Sequence, residues 1–263
     1  AKSECFLINE SLDKSLLKFP LIIKPRFGSG SKDCMAIRNL DEFRNFINSV
    51  NIKSNDFLAQ TLIKGVEYGL DGVVIDGKYQ HILLRQKLLT PLPYRQSIAN
   101  LSVKEIQKIS DFMQTIIQSL KIENSLLNAD IIITPSGKPF IIELAPRPSG
   151  HYLSSNFNQI VTGVNVLKEW INFSLNKPFD FKPKLFKNAI IRYFDCEGDV
   201  KIPNFQALKN KLNIIDYKCN INKTLGKVTN GANLMWRGYA IILANTSQEC
   251  LENAQILMNE FKG

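Results

Sequence analysis

The feature that most constrains the fold is a pair of apolar runs joined by a short turn in the middle of the chain. Residues 126–134 and 140–144 have strand composition, and the Pro-Ser-Gly-Lys stretch at 135–138 has turn composition. Counting back from the centre of that turn places Asp130 directly opposite Glu143 in an antiparallel hairpin. The sequence therefore predicts two acids on one face of a sheet.

Two facing acids need a positive charge between them. Side chains directly opposite each other begin about 4.5–5.5 Å apart, and like charges at that separation destabilise the pair. At about 5 Å and an effective dielectric constant near 20, the repulsion is roughly 3 kcal/mol. Mg²⁺ suits the position, because it takes one or two carboxylates and completes its shell with substrate phosphates. A solvated sheet face, or a register shifted by one residue, is the plain alternative.

Strand and helix signals alternate along the rest of the chain. Capping-box spacing predicts helices that begin after Asn39, Ser102 and Thr246. Residues 176–184, with two prolines and little periodicity, are predicted to connect two parts of the chain. The pattern as a whole indicates an α+β fold. The predicted strands cover 21–23, 57–60, 70–75, 79–84, 189–194 and 239–244, and a further helix covers 164–175.

Composition excludes several classes of protein. The chain is 44% hydrophobic, but no run approaches the roughly 20 apolar residues that span a membrane, and its first residues lack a signal-peptide pattern. The five cysteines are scattered and lack the CxxC spacing of structural zinc sites. The formal charge of +9 comes from lysines spread along the chain instead of basic blocks. We expect a globular, cytoplasmic protein that binds neither membranes nor nucleic acid.

A glycine-rich loop follows the first strong strand pattern. Lys24 ends that strand, and Gly28, Ser29, Gly30 and Ser31 come soon after it. Glycine tolerates positive φ and lets a phosphate approach the backbone amides closely. The loop differs from a Walker A motif, because its lysine precedes the glycines. An ordinary turn beside a surface lysine is the plain alternative.

Several basic side chains are candidates for contacts with an anionic substrate. Arg147 lies four residues after Glu143 between two prolines, which limit backbone freedom and suit bidentate recognition of phosphate or carboxylate. Arg85 and Lys87 follow the first hairpin, and His151 follows the Arg147 turn. A solvated basic face and a structural histidine are the plain alternatives.

These pieces together resemble the ATP-grasp superfamily, whose members hold ATP between two α+β subdomains. The resemblance runs from about Leu12 to Leu175. The run Glu-Leu-Ala-Pro-Arg-Pro at 143–148, with Ser-Gly-His-Tyr after it, is similar to the branch of the carbamoyl-phosphate synthase large subunit and the phosphoribosylaminoimidazole carboxylase ATPase subunit. It implies an ATP-grasp domain at 1–184, with subdomains at about 12–62 and 63–184. A small α+β extension is then expected at 185–263.

The resemblance also implies the residues that hold the nucleotide. Lys24 matches the phosphate-binding lysine, and the loop from Gly28 to Ser31 matches the loop that folds over the phosphates. The segment 60–67 is similar to the family linker. In that linker Gln60 and Leu62 would contact adenine, and Glu67 would bind the ribose hydroxyls.

The segment Glu143-Leu-Ala-Pro-Arg147 resembles the family motif Glu-x-Asn-Pro-Arg. The resemblance implies that Asp130 and Glu143 hold Mg²⁺ and that Arg147, together with Lys24, acts at the transferred phosphate. Ala145 stands where many members have a metal-binding Asn. The hairpin count places Asn128 opposite Ala145, and we hypothesise that Asn128 supplies the missing amide oxygen, directly or through water.

The function implied is an ATP-dependent carboxylate–amine ligase, with ATP and Mg²⁺ as cofactors and small-molecule carboxylate and amine substrates. An ATP-binding module without independent ligase activity is the alternative. Family members usually carry an N-terminal Rossmann-like domain before this point, of which this chain has almost none. We therefore expect a fragment that lacks part of the carboxylate-substrate pocket. The sequence leaves the oligomeric state open, a homodimer included.

Overall fold

The computed structural model describes residues 5–8, 17–28, 33–49, 57–90, 96–104, 107–222, 224–228 and 230–262. An antiparallel four-stranded sheet forms the first layer. The helix α1 (Leu40–Ser49) belongs to the same unit, and Phe43 and Phe46 of that helix are buried in its core. In spatial order the strands are β1 (Cys5–Ile8), β4 (Phe57–Thr61), β2 (Leu21–Pro25) and β3 (Met35–Ile37).

A larger antiparallel sheet of eight strands forms the second unit, and strands from distant parts of the chain meet in it. Its spatial order is β12 (Ile214–Cys219), β14 (Gly238–Leu243), β10 (Ala189–Tyr193), β7 (Ser97–Val103), β6 (Lys78–Leu89), β5 (Val66–Ile75), β8 (Ser125–Ile133) and β9 (Pro139–Ala145). A separate two-stranded ribbon consists of β11 (Gly198–Asp199) and β13 (Thr224–Leu225).

Helices cover one face of the large sheet along its length. The helix α2 (Gln107–Leu120) packs Ile109 and Met113 onto the strands β5, β6 and β8. The helices α5 (Phe205–Lys211) and α7 (Ser247–Asn259) cover the part of this face formed by the C-terminal strands. The remaining helices are α3 (Asn158–Thr162), α4 (Val166–Ser174) and α6 (Gly231–Arg237), and a π-helical turn, Leu153–Phe157, precedes α3.

The opposite face of the large sheet has an apolar half and a polar half. The π-helical turn, α3 and α4 pack on the apolar half. The polar half carries Asp71 of β5, Arg85 and Lys87 of β6, and Asn128 and Asp130 of β8. Because side chains alternate between faces along a strand, the polar side chains collect on the face away from α2.

The α+β class predicted from the sequence is confirmed, and two of the helix starts are where capping predicts them. The amide of Glu42 donates to Asn39 Oδ1 at 2.9 Å, and the amide of Glu249 donates to Thr246 Oγ1 at 3.1 Å. The helix predicted after Ser102 is present as α2, but its predicted start is wrong. Ser102 lies in β7, and the described part of the next helix begins at Gln107.

The C-terminal strands continue the large sheet, since β10 pairs with β7. Strands on both sides of the boundary expected between 184 and 185 therefore belong to one sheet. The connector predicted at 176–184 has no regular structure. Within the described ranges, no helix has the length and apolar character needed to cross a membrane.

Candidate active site

The two predicted metal acids lie opposite each other. Asp130 of β8 pairs with Glu143 of β9, and Asn128 pairs with Ala145, as the hairpin count predicts. Directly paired residues point to the same side of a sheet, so these side chains share the polar face. The plain alternative of a shifted register is therefore wrong at this position.

The predicted pairing of Asp130 with Glu143 is found because two departures from the predicted hairpin offset each other. The turn is one residue longer than predicted: the amide of Thr134 donates to the carbonyl of Lys138 at 3.0 Å, and Gly137 has a φ of 75°. A β-bulge then leaves Ile142 as the extra residue on β9, because Asp130 pairs with Glu143 while the next residue, Ile131, pairs with Ile141.

The bulge also meets the first subdomain. Lys24 of β2 donates from Nζ to the carbonyl oxygen of Ile142 at 3.3 Å. Burial raises the pKa of the Cys34 thiol, and the charges of Lys24 and Glu143 both act on that thiol, Lys24 lowering the pKa and Glu143 raising it. Lys24 of the small sheet and Glu143 of the large sheet therefore lie near each other, at a contact between the two sheets.

The positive charge expected beside the facing acids is present in the protein itself. Lys87 of β6 donates from Nζ to Asp130 Oδ2 at 2.6 Å, in an ion pair whose side chains are 16% and 27% exposed. The repulsion between Asp130 and Glu143 is thus partly relieved without a metal. Glu143 is exposed at the end of this row of charges.

A second ion pair lies deeper on the same face. Arg85 donates from Nε to Asp71 Oδ2 at 2.8 Å, and both side chains are nearly inaccessible. Its Nη1 donates to Asn100 Oδ1 at 3.1 Å and its Nη2 to Ser149 Oγ at 3.4 Å. Gly69 leaves room for this guanidinium, because a Cβ on Gly69 would lie 2.6 Å from Arg85 Nη1.

Ser149 joins this buried network to the metal hairpin. Its Oγ contacts Asp71 Oδ1 within hydrogen-bond distance and lies 2.8 Å from Asn128 Oδ1. The Ser149 side chain is buried although it belongs to the turn that follows β9. The turn that carries Arg147 and His151 is therefore anchored to the same sheet face as Asp130.

Arg147 and His151 lie on either side of that anchored serine. Arg147 is exposed, and its Nη1 donates to the carbonyl of Pro148 at 3.0 Å. Burial lowers the pKa of His151, the positive charges of Lys87, Arg85 and Arg147 lower it further, and Asp130 raises it. Lys87, Arg85 and Arg147 thus lie close enough to His151 for their charges to act on it.

The predicted nucleotide residues lie at the junction of the two sheets. Gln60 is in β4 opposite Ile22, and the amide of Leu62 donates to the carbonyl of Pro20 at 3.1 Å. Glu67 is in β5, mostly buried, and pairs with Ile132, two residues beyond Asp130. Gly28 follows β2, whereas the positions 29–31 of the glycine loop lie outside the described residues.

Three site residues have no strong signal in the sequence. Asp71, Asn100 and Ser149 form the partners of Arg85, but each is a common polar residue in an ordinary context. The available signal is Asp71 itself, the one charged residue in the run Leu-Asp-Gly-Val-Val-Ile at 70–75. A buried charge requires a partner, which the polar residues of the neighbouring strand can supply.

Solved structures with a similar fold include three enzymes. An L-amino acid ligase from Bacillus licheniformis has a TM-score of 0.80 at 16% sequence identity, with 97% of this chain and 66% of that chain covered. N5-carboxyaminoimidazole synthetase from Staphylococcus aureus, complexed with ADP, has a TM-score of 0.70 at 15% identity, with 97% and 66% covered. Phosphoribosylglycinamide synthetase from Anaerococcus prevotii has a TM-score of 0.64 at 15% identity, with 98% and 68% covered.

The chain thus spans about two-thirds of the length of these structures, and at such identities the likeness shows the fold. No curated protein matches the chain by sequence. A family model described as the ATP-grasp domain matches residues 9–151, more than half of the 263 residues. ATP-grasp enzymes use ATP together with Mg²⁺. The family and the fold expected from the sequence are confirmed: the chain belongs to the ATP-grasp domain family.

Proposed function

We propose that the chain is the nucleotide-binding and catalytic part of an ATP-dependent carboxylate–amine ligase, which forms an acyl phosphate and releases ADP and phosphate. The observation that carries this proposal is the pairing of Asp130 with Glu143 beside Lys24, in a chain of the ATP-grasp family. The names of the three solved enzymes, a ligase and two synthetases, support chemistry of this kind.

The side chains fit phosphoryl transfer, which needs positioning and charge neutralisation more than covalent catalysis. Lys24 and Arg147 would place fixed positive charge at the transferred phosphate, and Lys87 adds charge beside Asp130. The acceptor carboxylate oxygen attacks the γ-phosphorus, the bond to the bridging oxygen breaks, and ADP leaves with the electron pair.

The junction between the sheets would hold the nucleoside part of ATP. In that arrangement Gln60 and Leu62 contact adenine and Glu67 binds the ribose hydroxyls. The loop from Gly28 to Ser31 would close over the phosphates. A closed loop excludes water, which would otherwise hydrolyse a reactive acyl phosphate.

The acids fit Mg²⁺ better than a metal that needs a protein-only cage. Across the described ranges, no group of three or more His, Cys, Asp or Glu side chains is placed to hold a metal ion. Mg²⁺ is bound in many sites by one or two carboxylates together with substrate phosphates. Asp130 and Glu143 would provide those two carboxylates, and the ion would neutralise charge on the phosphates.

Asn128 is the candidate for the ligand that Ala145 lacks. It pairs with Ala145, and its Oδ1 lies 2.8 Å from Ser149 Oγ. The serine thereby holds the amide on the polar face, two residues from Asp130. We propose that Asn128 completes the metal site directly or through a water molecule.

The test is ADP release with Mg-ATP and each of the common L-amino acids as the carboxylate, with hydroxylamine as the amine. Hydroxylamine traps an acyl phosphate as a hydroxamate, which can be measured separately. We expect Glu143→Gln to lower Mg-dependent ADP release about 10²–10³-fold, because a charge-stabilising ligand is lost. Its thermal unfolding midpoint should stay that of the parent protein.

The matched control is Glu123→Gln, which changes an exposed acid before β8 in the same way. ADP release should be unchanged in this variant. Undiminished ADP release in Glu143→Gln would rule out the metal assignment. Absence of ADP release from the parent protein with every carboxylate would contradict the ligase proposal itself.

Ala145 favours one alternative, an ATP-binding module that is not an independent ligase. Its side chain offers no oxygen to a metal, and the amide opposite it is already engaged by Ser149. Such a module would bind Mg-ATP, seen as a raised unfolding temperature, and would release no ADP with any carboxylate and amine. The two measurements on one sample separate a ligase from a binding module.

A further inference from the structure

The turn after β9 holds one histidine ring in a defined place. His151 and Tyr152 both have left-handed backbone conformations, with φ of 55° and 61°. The Tyr193 hydroxyl donates to the carbonyl oxygen of His151 at 2.7 Å, and the two rings meet edge to face with centroids 5.9 Å apart. A backbone conformation that residues with a side chain rarely adopt persists only when the surrounding structure stabilises it.

The turn that carries this ring is anchored to the polar sheet face. Ser149, two residues earlier, contacts Asn128, and Asn128 is two residues before Asp130 on that face. The charges that act on the pKa of the imidazole are those of Lys87 and Arg85 of β6, Arg147 of its own turn and Asp130 of β8.

Among these described groups, the imidazole is the one that is available to accept a proton. Lysine and arginine side chains are donors without an acceptor site when protonated. Asp130 is already paired with Lys87 and assigned to the metal. Burial and the neighbouring cations lower the pKa of His151, so the ring is neutral at neutral pH.

We propose that His151 is the general base that removes the proton from the amine as it attacks the acyl phosphate. This role rests on the proposed ligase function and concerns its second half-reaction. The first half-reaction, phosphoryl transfer to the carboxylate, needs no such base.

The lone pair of a neutral amine attacks the carbonyl carbon of the acyl phosphate, and a carbon–nitrogen bond forms. The bond from that carbon to the phosphate oxygen breaks, and phosphate leaves with the electron pair. The proton released by the nitrogen passes to the free imidazole nitrogen of His151, and the products are an amide, phosphate and a histidinium that loses its proton to solvent.

The test compares two amines in His151→Asn. Amino acids are mostly protonated at neutral pH, whereas hydroxylamine is mostly neutral and attacks without strong assistance from a base. We expect dipeptide formation from pairs of L-amino acids, followed by mass spectrometry, to fall about 10²–10⁴-fold, the usual contribution of a general base. Hydroxamate formation with hydroxylamine should be retained.

The matched control is His81→Asn, which alters the other histidine of the chain, whose Nδ1 lies 3.4 Å from the Tyr79 hydroxyl. Dipeptide formation should be unchanged in that variant. Equal loss of dipeptide and hydroxamate in His151→Asn, or loss of neither, would overturn the base role. A parent protein that makes neither product and releases no ADP would instead contradict the ligase function.

The pH profile of the parent protein gives a reading that needs no variant. The amine must lose its own proton, so the rate of dipeptide formation rises with pH. Below the pKa of His151 the base is also protonated, so the rate falls more steeply there. That steeper limb should lie below about 6.5, the ordinary histidine pKa. A profile without it, or one retained in His151→Asn, would contradict the proposal.

Discussion

Two ion pairs on the same strand face have opposite environments. Arg85 and Lys87 are two residues apart on β6, and each pairs with an aspartate of a neighbouring part of the sheet, Asp71 and Asp130. The side chains of the Arg85 pair are 2% and 3% exposed, whereas those of the Lys87 pair are 16% and 27% exposed. We infer from this difference in exposure that the Arg85–Asp71 pair stabilises the fold, whereas a ligand can replace Lys87 as the partner of Asp130.

The bonding of the two cations explains the difference. The guanidinium of Arg85 presents donors in a rigid fork, and Asp71, Asn100 and Ser149 accept from three of its nitrogens. The ammonium of Lys87 is a compact charge on a flexible stem, and its pair with Asp130 is partly open to solvent. A buried, satisfied pair resists change, whereas an open pair can share its carboxylate with a metal.

The largest expected effect comes from breaking the buried pair. Arg85→Met should lower the free energy of unfolding by about 3–5 kcal/mol, because Asp71 is left as a buried charge without its partner. Urea denaturation measures the loss. In the double variant that also carries Asp71→Leu, part of the stability should return, because no charge is then buried. A loss below about 1 kcal/mol in the single variant would mean that the Arg85–Asp71 pair contributes no more to stability than an exposed ion pair does.

A smaller effect is expected from crowding the guanidinium without removing it. Gly69→Ala puts a methyl group 2.6 Å from Arg85 Nη1, so the side chain must move away from Asn100 or Ser149. The cost should be about 1–3 kcal/mol, typical of overpacking in a filled site. Urea denaturation of Gly226→Ala is the control, since nothing lies within 4 Å of a Cβ at that glycine. Equal stability of the two variants would show that the Arg85 guanidinium can move away from Gly69 without a cost.

The sequence predicts the open pair's neighbourhood better than the buried pair. Local signals, a turn and two apolar runs, place Asp130 opposite Glu143, although a longer turn and the bulge at Ile142 had to cancel. Arg147 follows from the motif that ends this hairpin, whereas Lys24 follows from a separate local pattern, the glycine-rich loop after the strand at 21–23. The partnership of Arg85 with Asp71 depends on the pairing of β5 with β6, which includes a register shift after Asp71 that no local pattern predicts.

The missed strand β7 shows the same limit. Ser102 and Glu105 have capping-box spacing, yet Ser102 Oγ donates to the carbonyl of Lys187 at 2.9 Å and accepts from the amide of Ala189 at 2.8 Å. Those partners lie more than eighty positions away in the chain. Tertiary pairing therefore overrides a local helix signal, because a strand between β6 and β10 satisfies the backbone on both of its edges.

The smallest stability effect is expected at the open pair. Lys87→Met should change the free energy of unfolding by only about 0–1 kcal/mol, because the Lys87–Asp130 pair is partly exposed and Glu143 is exposed, so solvent screens both the pair and the repulsion between the two acids. The same variant should gain more thermal stability from Mg²⁺ with ADP than the parent protein gains, because Lys87 no longer competes for Asp130 and ligands that bind the folded state stabilise it. Urea denaturation and thermal shifts measure the two quantities. A stability loss as large as that of Arg85→Met would mean that the two ion pairs stabilise the fold equally. An unchanged thermal shift with Mg²⁺ and ADP would mean that Asp130 does not bind the metal in exchange for Lys87.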